Sequence, residues 1–324
     1  MTELNEKYKY EHVKTERGSG ILMHISSLPG PYGIGSMGEK AREFADFLEK
    51  AGQSYWQILP IGVTSFGDSP YTTFSSFAGN PYFIDLDLLK NEELLTQADI
   101  DQHIAFVEDN TKVDYGKLYH ERYSLLKVAF HNFDLEDRGY YAFTEKHNFW
   151  LRNYALFMTL KEKFQGCKWN DWPNEYKFRD EKALSEFEIE NLEDINFHKF
   201  IQYKFFSQWE NLKDYIHQKN ISIIGDLPIY LAEDSADVWS NPNLFQLNED
   251  LKPTYVSGVP PDGFSDDGQL WGNPVYNWQE HENLAAIFSN VDIKIIPVAN
   301  PGGYNANTRR NLHDVDLNRN FSYL

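Results

Sequence analysis

The sequence lacks several features that would assign it to a class at once. Its single cysteine, Cys167, cannot form a disulfide within the chain, which fits a reducing compartment. No run of about 18 apolar residues occurs, and the polar N-terminus has no signal-peptide core. No block dense in Lys or Arg occurs either. We therefore expect a cytoplasmic protein that binds neither membrane nor nucleic acid.

Acidic residues outnumber basic ones by 49 to 30, which gives a net charge of −19 at pH 7. This balance favours a ligand that is neutral rather than anionic. Hydrophobic residues make up 41% of the 324 residues and aromatic residues 16%, which is enough for a large core and excludes a disordered chain. The length fits one large α/β domain or two ordinary ones.

Metal and nucleotide motifs are missing or stand in the wrong context. There is no His-Glu-x-x-His, no His-x-x-Glu and no Gly-x-x-x-x-Gly-Lys-Ser/Thr. Gly33–Gly38 matches Gly-x-Gly-x-x-Gly, but prolines precede it, and the next apolar run ends in Leu59-Pro60 where a dinucleotide site would have an acid. We interpret the motif as a turn before a helix and expect neither cofactor nor metal.

A strand, a helix and a second strand follow one another near the N-terminus. Residues 20–27 and 55–61 are apolar runs that predict buried strands, and the apolar residues between them recur at helical spacing. Ser36 and Glu39 have the spacing of a capping box, and Gly52 provides the stop. About forty residues in this order are typical of a βαβ unit, so a parallel sheet is expected.

The rest of the chain alternates loops with helical and strand-like stretches. Residues 64–82 form a long Gly/Ser/Pro/aromatic loop, and residues 91–216 are interpreted as a helical insertion. Residues 221–230 predict another strand, with Asp226 near its end. Residues 292–299 resemble one more strand.

Asp226 is the most informative acid. A carboxylate at the carboxyl end of a buried parallel strand lies where active-site loops gather. Asp234 and Asp237 are interpreted as acids that complete a helix start. His24 could line a site, although a packed, hydrogen-bonded histidine is the commoner case. Between residues 258 and 274, stiff turns carry aromatic and amide side chains that either bind neutral sugars or simply pack as lids.

The chain resembles the amylomaltases, or 4-alpha-glucanotransferases, from about Gly18 to Trp278. The resemblance rests on long segments rather than single residues. They are Ser26–Gly35, Tyr55–Pro60, Gly67–Tyr71, Phe77–Tyr82, Ile224–Trp239 and Gly258–Trp278.

The resemblance implies a (β/α)8 barrel with inserted subdomains that transfers α-1,4-glucan segments between maltodextrins by a retaining double displacement. It implies that Ser69 and Tyr71 touch the donor sugar and that Asp226 hydrogen-bonds a sugar near the scissile bond. It also implies that a loop from Asp262 folds over the glucan with Phe264 facing it. Trp271 is expected to add a further maltodextrin contact.

The resemblance ends after Trp278. The family continues to a strand of the form Arg-Ile-Asp-His-Phe-Arg-Gly that holds the nucleophile, and this segment is absent. Neither nucleophile nor acid/base can be assigned, so we expect an incomplete barrel that is inactive as this chain. A complementing chain is a candidate partner. The alternatives are a non-catalytic maltodextrin-binding remnant and a protein related to zinc carboxypeptidases.

The peptidase alternative comes from the C-terminal part of the chain. About residues 292–321 resemble the zinc carboxypeptidases, in which an Asn-Arg pair grips the terminal carboxylate of the substrate. This resemblance implies that role for Asn318 and Arg319, with Arg310. We therefore divide the chain into a barrel part, residues 1–278, and a carboxypeptidase-like fragment, residues 279–324.

Overall fold

The computed structural model describes residues 17–65, 67–104, 111–261, 263 and 266–280. The chain divides into two compact units, Met1–Tyr276 and Asn277–Leu324. Of the second unit, only residues 277–280 are described. The first unit is a mixed helix and strand structure, as the α/β class predicts.

A parallel sheet of three strands occupies one part of the first unit. The strands are β1 (Gly20–Leu22), β2 (Tyr55–Gln57) and β3 (Ser222–Ile224), in the order β1-β2-β3. Tyr55 pairs with Gly20 on one side and with Ser222 on the other. The prediction of parallel pairing is therefore confirmed, although each strand is shorter than its apolar run.

Burial of the outer strands differs from the prediction. Trp56 in the middle strand is buried, whereas Leu22 and Ile224 in the outer strands are exposed. The prediction of fully buried outer strands is wrong, because each outer strand is paired on one side only within the described part of the sheet.

Helix α1 (Glu39–Lys50) connects β1 to β2. It buries Ala41, Ala45 and Leu48, which recur at helical spacing. The helix ends before Gly52, whose φ of 67° is the left-handed conformation that glycine adopts readily. The predicted capping box is wrong: Gly38 is the N-cap, and the hydroxyl of Ser36 donates instead to Asp85 at 2.6 Å.

The segment between β2 and β3 is largely helical. Its helices are α2 (Leu86–Asn91), α3 (Gln97–Ile104), α4 (Tyr115–His131), α5 (Arg138–Lys163), α6 (Asn174–Lys177), α7 (Glu181–Glu190) and α8 (Leu192–Gln218). The long helices α5 and α8 pack along each other. After β3 come the short helix α9 (Ala236–Ser240) and an antiparallel hairpin, β4 (Val256–Val259) and β5 (Gln269–Pro274).

The apolar side chains form two clusters. One surrounds the sheet and joins α1, α4 and α8 through residues such as Trp56, Leu48 and Phe200. The other surrounds α5 and includes Phe157 and Trp239. Helix α8 therefore connects the sheet to the helical region, since its side chains enter both clusters. Among the described residues, no helix is long and apolar enough to cross a membrane.

Candidate glucan-binding site

Two loops meet at the carboxyl edge of the parallel sheet. The carboxyl ends of parallel strands lie at one edge, so loops that follow β2 and β3 can come together there. Asp226 lies two residues after β3, and Tyr71 lies in the long loop that follows β2. The hydroxyl of Tyr71 donates to Oδ2 of Asp226 at 2.7 Å, across 155 positions of sequence.

A tight turn presents Tyr71 to solvent. The backbone N–H of Tyr71 donates to the Oγ of Ser69 at 3.3 Å, and that of Thr72 donates to the carbonyl of Ser69 at 3.1 Å. The Tyr71 ring is exposed, while Ser69 and Asp226 are half-buried. The structure thus brings three of the residues named from the resemblance, Ser69, Tyr71 and Asp226, into one hydrogen-bonded group.

The hydrogen bond to Asp226 perturbs Tyr71 electrostatically. It raises the pKa of the Tyr71 hydroxyl above its ordinary value, and partial burial and the negative charge of the carboxylate act in the same direction. Tyr71 is therefore held protonated at neutral pH, as a donor. Asp226 retains a second oxygen that can accept a hydrogen bond from a ligand.

Side chains from distant helices anchor the loop that carries Tyr71. Gln202 on α8 accepts from the N–H of Gly79 at 2.8 Å and donates to its carbonyl at 3.0 Å. Asp237 on α9 accepts from the N–H and the hydroxyl of Ser76 at 2.9 and 2.8 Å. The loop is thus held at its far end by α8 and α9, which limits its freedom near Tyr71.

Of the two acids expected at the start of a helix after β3, only Asp237 lies in its first turn. The N-cap of α9 is Ser235, whose side chain accepts from Val238. Asp234 instead accepts from the ammonium of Lys161 at 2.7 Å, and Asp237 holds Ser76. Asp237 lies in the first turn of the helix, but its carboxylate is used to join the loop to it. The prediction that Asp234 completes a helix start is wrong, because its carboxylate binds the buried ammonium of Lys161.

The remaining residues named from the two resemblances are only partly described. Trp271 lies in β5 with an exposed ring. The two loop residues and the three C-terminal residues lie outside the described residues; they are Asp262, Phe264, Arg310, Asn318 and Arg319. The strand expected at residues 292–299 also lies outside them.

His24 is buried just after β1. Its ring packs edge-on against Phe83, and its Nδ1 has no hydrogen-bond partner. Burial lowers the pKa of His24 from 6.5 to about 4, so the ring is neutral at pH 7. It lines a cavity of about 120 Å³ that also includes Ser26 and Asp68. The structure confirms that His24 is packed, but its Nδ1 lacks the hydrogen bond that the prediction included.

A larger cavity of about 500 Å³ was not foreseen from the sequence. Aromatic rings and two carboxylates contribute to its wall; they are Tyr82, Tyr115, Tyr119, Tyr123, Asp68 and Glu162. Burial raises the pKa of Glu162, but the nearby His198 and Lys127 outweigh it and hold the pKa below its ordinary value. The spacing of the three tyrosines on α4, every fourth residue, is the signal that could have indicated a shared face. Aromatic walls with a few polar groups are typical of small-molecule sites.

No metal centre is present in the part of the chain that the structure describes. No group of three or more His, Cys, Asp or Glu side chains is arranged to hold an ion there. At the described site, a phenol, a hydroxyl and a carboxylate offer hydrogen bonds beside an exposed aromatic ring. Groups of these kinds are typical of sites that bind neutral, hydroxyl-rich ligands.

Comparison with known proteins shows which family the chain belongs to. The family model for 4-alpha-glucanotransferase, glycoside hydrolase family 77, matches residues 23–285, and a zinc carboxypeptidase model matches residues 272–324. The chain is 55% identical over 258 residues to a 4-alpha-glucanotransferase of Clostridium butyricum, covering 79% of this chain and 53% of that one. It is 48% identical to the enzyme of that name from Thermus thermophilus, covering 81% and 52%. The chain belongs to the 4-alpha-glucanotransferase family.

A solved structure shows the same fold. Amylomaltase from Streptococcus agalactiae in complex with acarbose superposes with a TM-score of 0.79 at 44% identity, covering 83% of this chain and 55% of that one. The chain thus spans about half the length of the relatives that it matches.

Proposed function

We propose that this chain supplies the glucan-binding part of a 4-alpha-glucanotransferase, with the Tyr71–Asp226 pair at its centre. The observation that carries the proposal is the 2.7 Å hydrogen bond between these side chains, from two loops that both lie in the region matched by the family. The exposed Tyr71 ring offers a face to a pyranose, and the free oxygen of Asp226 can accept from a sugar hydroxyl. Ser69 contributes a hydroxyl beside them.

The proposed substrate is a maltodextrin or another α-1,4-glucan. The amylomaltase that shares this fold was solved with acarbose, which supports an oligosaccharide ligand here. Asp262, Phe264 and Trp271 would add contacts around the same glucan. The proposed reaction is segment transfer with retention, in which one carboxylate attacks the sugar and another acts as acid and base. Asp226 fits a binding role rather than either of these, since Tyr71 already occupies one of its oxygens.

The proposed architecture is the (β/α)8 barrel of the family, with β1, β2 and β3 as three of its strands. The parallel order and the crossover through α1 support it. The helices from α3 to α8 would form the insertion. A cytoplasmic location is proposed with it, because the chain has a single cysteine.

A second candidate is a binding protein without turnover. It is favoured by one observation, the absence of an Arg-Ile-Asp-His-Phe-Arg-Gly segment from the sequence. Glucan binding through Tyr71 and Asp226 is common to both candidates, so binding is tested first and turnover separately.

The binding test is a titration of maltoheptaose into the chain, followed by calorimetry and tryptophan fluorescence. We expect saturable binding, weakened at least tenfold in Asp226→Asn and in Tyr71→Phe, since a lost hydrogen bond to a charged group is worth roughly 1.5–3 kcal/mol. Tyr141→Phe, an exposed tyrosine on α5, is the matched control and should bind as wild type does. Unchanged affinity in Asp226→Asn, or no binding by wild type, would contradict the proposal.

A further inference from the structure

The cavity of about 500 Å³ lies between the loop that follows β2 and the helices α4 and α5. Its volume is within the range of small-molecule sites. Among the described residues, its wall includes neither Tyr71 nor Asp226, so the cavity is distinct from the candidate glucan site. A ligand of this cavity therefore has to be inferred from the cavity's own side chains.

Four tyrosine rings form part of the cavity wall and are called the tyrosine cage below. They are Tyr82, from the loop after β2, and Tyr115, Tyr119 and Tyr123, from α4. The centroids of Tyr82 and Tyr123 are 6.4 Å apart, and the two ring planes are nearly perpendicular, at 88°. Tyr82 and Tyr115 are 6.1 Å apart at 50°, and Tyr119 and Tyr123 are 5.2 Å apart at 50°. Rings at such angles can surround a compact cation, as the aromatic cages that bind quaternary ammonium ions do.

The carboxylates of Asp68 and Glu162 also line the cavity. Burial raises the pKa of Tyr82 and of Tyr115, and the negative charge of Asp68 adds to both increases. Burial raises the pKa of Tyr119 as well, and there the negative charge of Glu162 acts in the same direction. Both carboxylates are therefore close enough to the tyrosine cage to act on it electrostatically.

Asp68 has no cationic partner within the part of the chain that the structure describes. Partial burial raises the pKa of its carboxyl group, and no described Lys, Arg or His side chain offsets that effect. The two lysines near the cavity already have acidic partners: Lys161 is 2.7 Å from Asp234, and Lys127 is 3.4 Å from Asp194 and 4.0 Å from Glu162. A partly desolvated carboxylate without a counter-ion favours a cationic ligand.

We propose that this cavity binds an organic ammonium ion, with the tyrosine cage around the ammonium group and Asp68 as its counter-ion. Glu162 adds negative potential from α5, and Val63, Phe74 and Met158 provide apolar surface for the carbon atoms of the ligand. The net charge of −19 attracts cations to the chain as a whole. A neutral sugar would leave the charge of Asp68 uncompensated. The proposal does not depend on the proposed glucan function.

The test is calorimetric titration of choline into the full 324-residue chain, in phosphate buffer free of amines. Its neutral counterpart, 3,3-dimethylbutan-1-ol, has the same shape with carbon in place of the charged nitrogen. Spermidine, titrated separately, distinguishes a protonated amine from a quaternary ion. We expect saturable binding of at least one of the two cations, and binding of the neutral alcohol at least tenfold weaker than that of choline if choline is the tighter ligand.

Two variants locate the cation in the cavity. Asp68→Asn removes the charge, and asparagine tolerates the left-handed backbone of this position, where φ is 54°. Its melting temperature should not fall, whereas affinity for the cation should fall at least tenfold. Tyr119→Leu removes a half-exposed ring of the cage and should weaken binding at least threefold. Asp250→Asn and Tyr141→Leu, which remove an exposed carboxylate and an exposed ring outside the cavity, are the matched controls and should bind as wild type does.

Several outcomes would overturn the proposal. They are no saturable binding of either cation, equal binding of choline and the neutral alcohol, or unchanged cation affinity in Asp68→Asn. Displacement of the cation by maltoheptaose would also overturn it, because the cavity would then belong to the glucan. A chain that binds the cation but no maltoheptaose would count against the proposed function alone.

Discussion

Individual buried polar side chains hold the loops around the candidate site. Lys161 on α5 binds Asp234 at 2.7 Å and also donates to the carbonyls of Gly166 and Cys167. The Lys161 side chain is buried, and that of Asp234 is only 12% exposed. A buried charge without its partner is costly, so such residues stabilise the folded chain through their pairing and not through their own burial.

Asp234→Ala should lower the free energy of unfolding by about 3 kcal/mol, because it breaks the ion pair with the buried ammonium of Lys161. Urea unfolding followed by circular dichroism measures the change. Glu186→Ala, which breaks the exposed pair with Lys182, is the control and should leave the midpoint unchanged. Equal effects of the two substitutions would mean that the buried pair contributes no more than the exposed one.

His24 should make stability depend on pH between about 4 and 6.5. Its pKa is 6.5 when unfolded and about 4 when folded, so its contribution is complete above pH 6.5 and is lost as pH falls towards 4. Wild type should lose about 2 kcal/mol from this residue between pH 7 and pH 5. His24→Leu should remove that part of the loss, as measured by urea midpoints at the two pH values. An identical pH dependence in both proteins would contradict the assignment.

At the level of elements, helix α8 positions the loop that carries Tyr71. Gln202 clamps Gly79, and Gln208, six residues later, clamps Asp85 in the same two-bond manner. The loop lies so close to α8 at Gly79 that a side chain does not fit there. A Cβ at Gly79 would lie 2.0 Å from the ring of Phe205.

Gly79→Ala should therefore destabilise the chain by roughly 1–3 kcal/mol, the usual cost of overpacking, and weaken maltoheptaose binding. Thermal unfolding and the binding titration measure the two effects. Gly116→Ala on α4 is the control, because a Cβ there meets no atom closer than 3.6 Å and alanine favours a helix. Wild-type stability in Gly79→Ala would mean that the loop moves away from α8 without cost.

For the whole molecule, the chain has the fold of the family over about half the length of its relatives. The glucan-binding side chains that we propose lie in the first unit, whereas no Asp-His-Phe segment is found in the sequence. We therefore expect that glucan binding can be measured in this chain separately from turnover.

Incubation of the 324-residue chain with maltotriose should produce no longer or shorter oligosaccharides, because no nucleophile segment is present to form the glycosyl-enzyme. Chromatography of the products is the measurement. The Clostridium butyricum enzyme, assayed in parallel, is the positive control. New oligosaccharides from the chain alone would show that another carboxylate takes the role of nucleophile.

Features that neighbouring residues determine could be predicted from the sequence, whereas features that depend on distant contacts could not. The βαβ order and the end of α1 at Gly52 follow from periodicity and backbone preference within a few neighbouring residues. The capping box failed because Ser36 has a competing partner, Asp85, 49 positions away. The exposure of Leu22 and Ile224 could not be seen in apolar runs, since burial depends on which strands lie beside them.

The sequence by itself determined the family, the parallel strands and the identity of the residues that could face a sugar, because these follow from local pattern and from long matching segments. Only the tertiary structure decided that Tyr71 and Asp226 touch, that Gln202 and Asp237 hold their loop, and that apolar edges face solvent. Those facts depend on contacts between residues far apart in the chain, which no local pattern encodes.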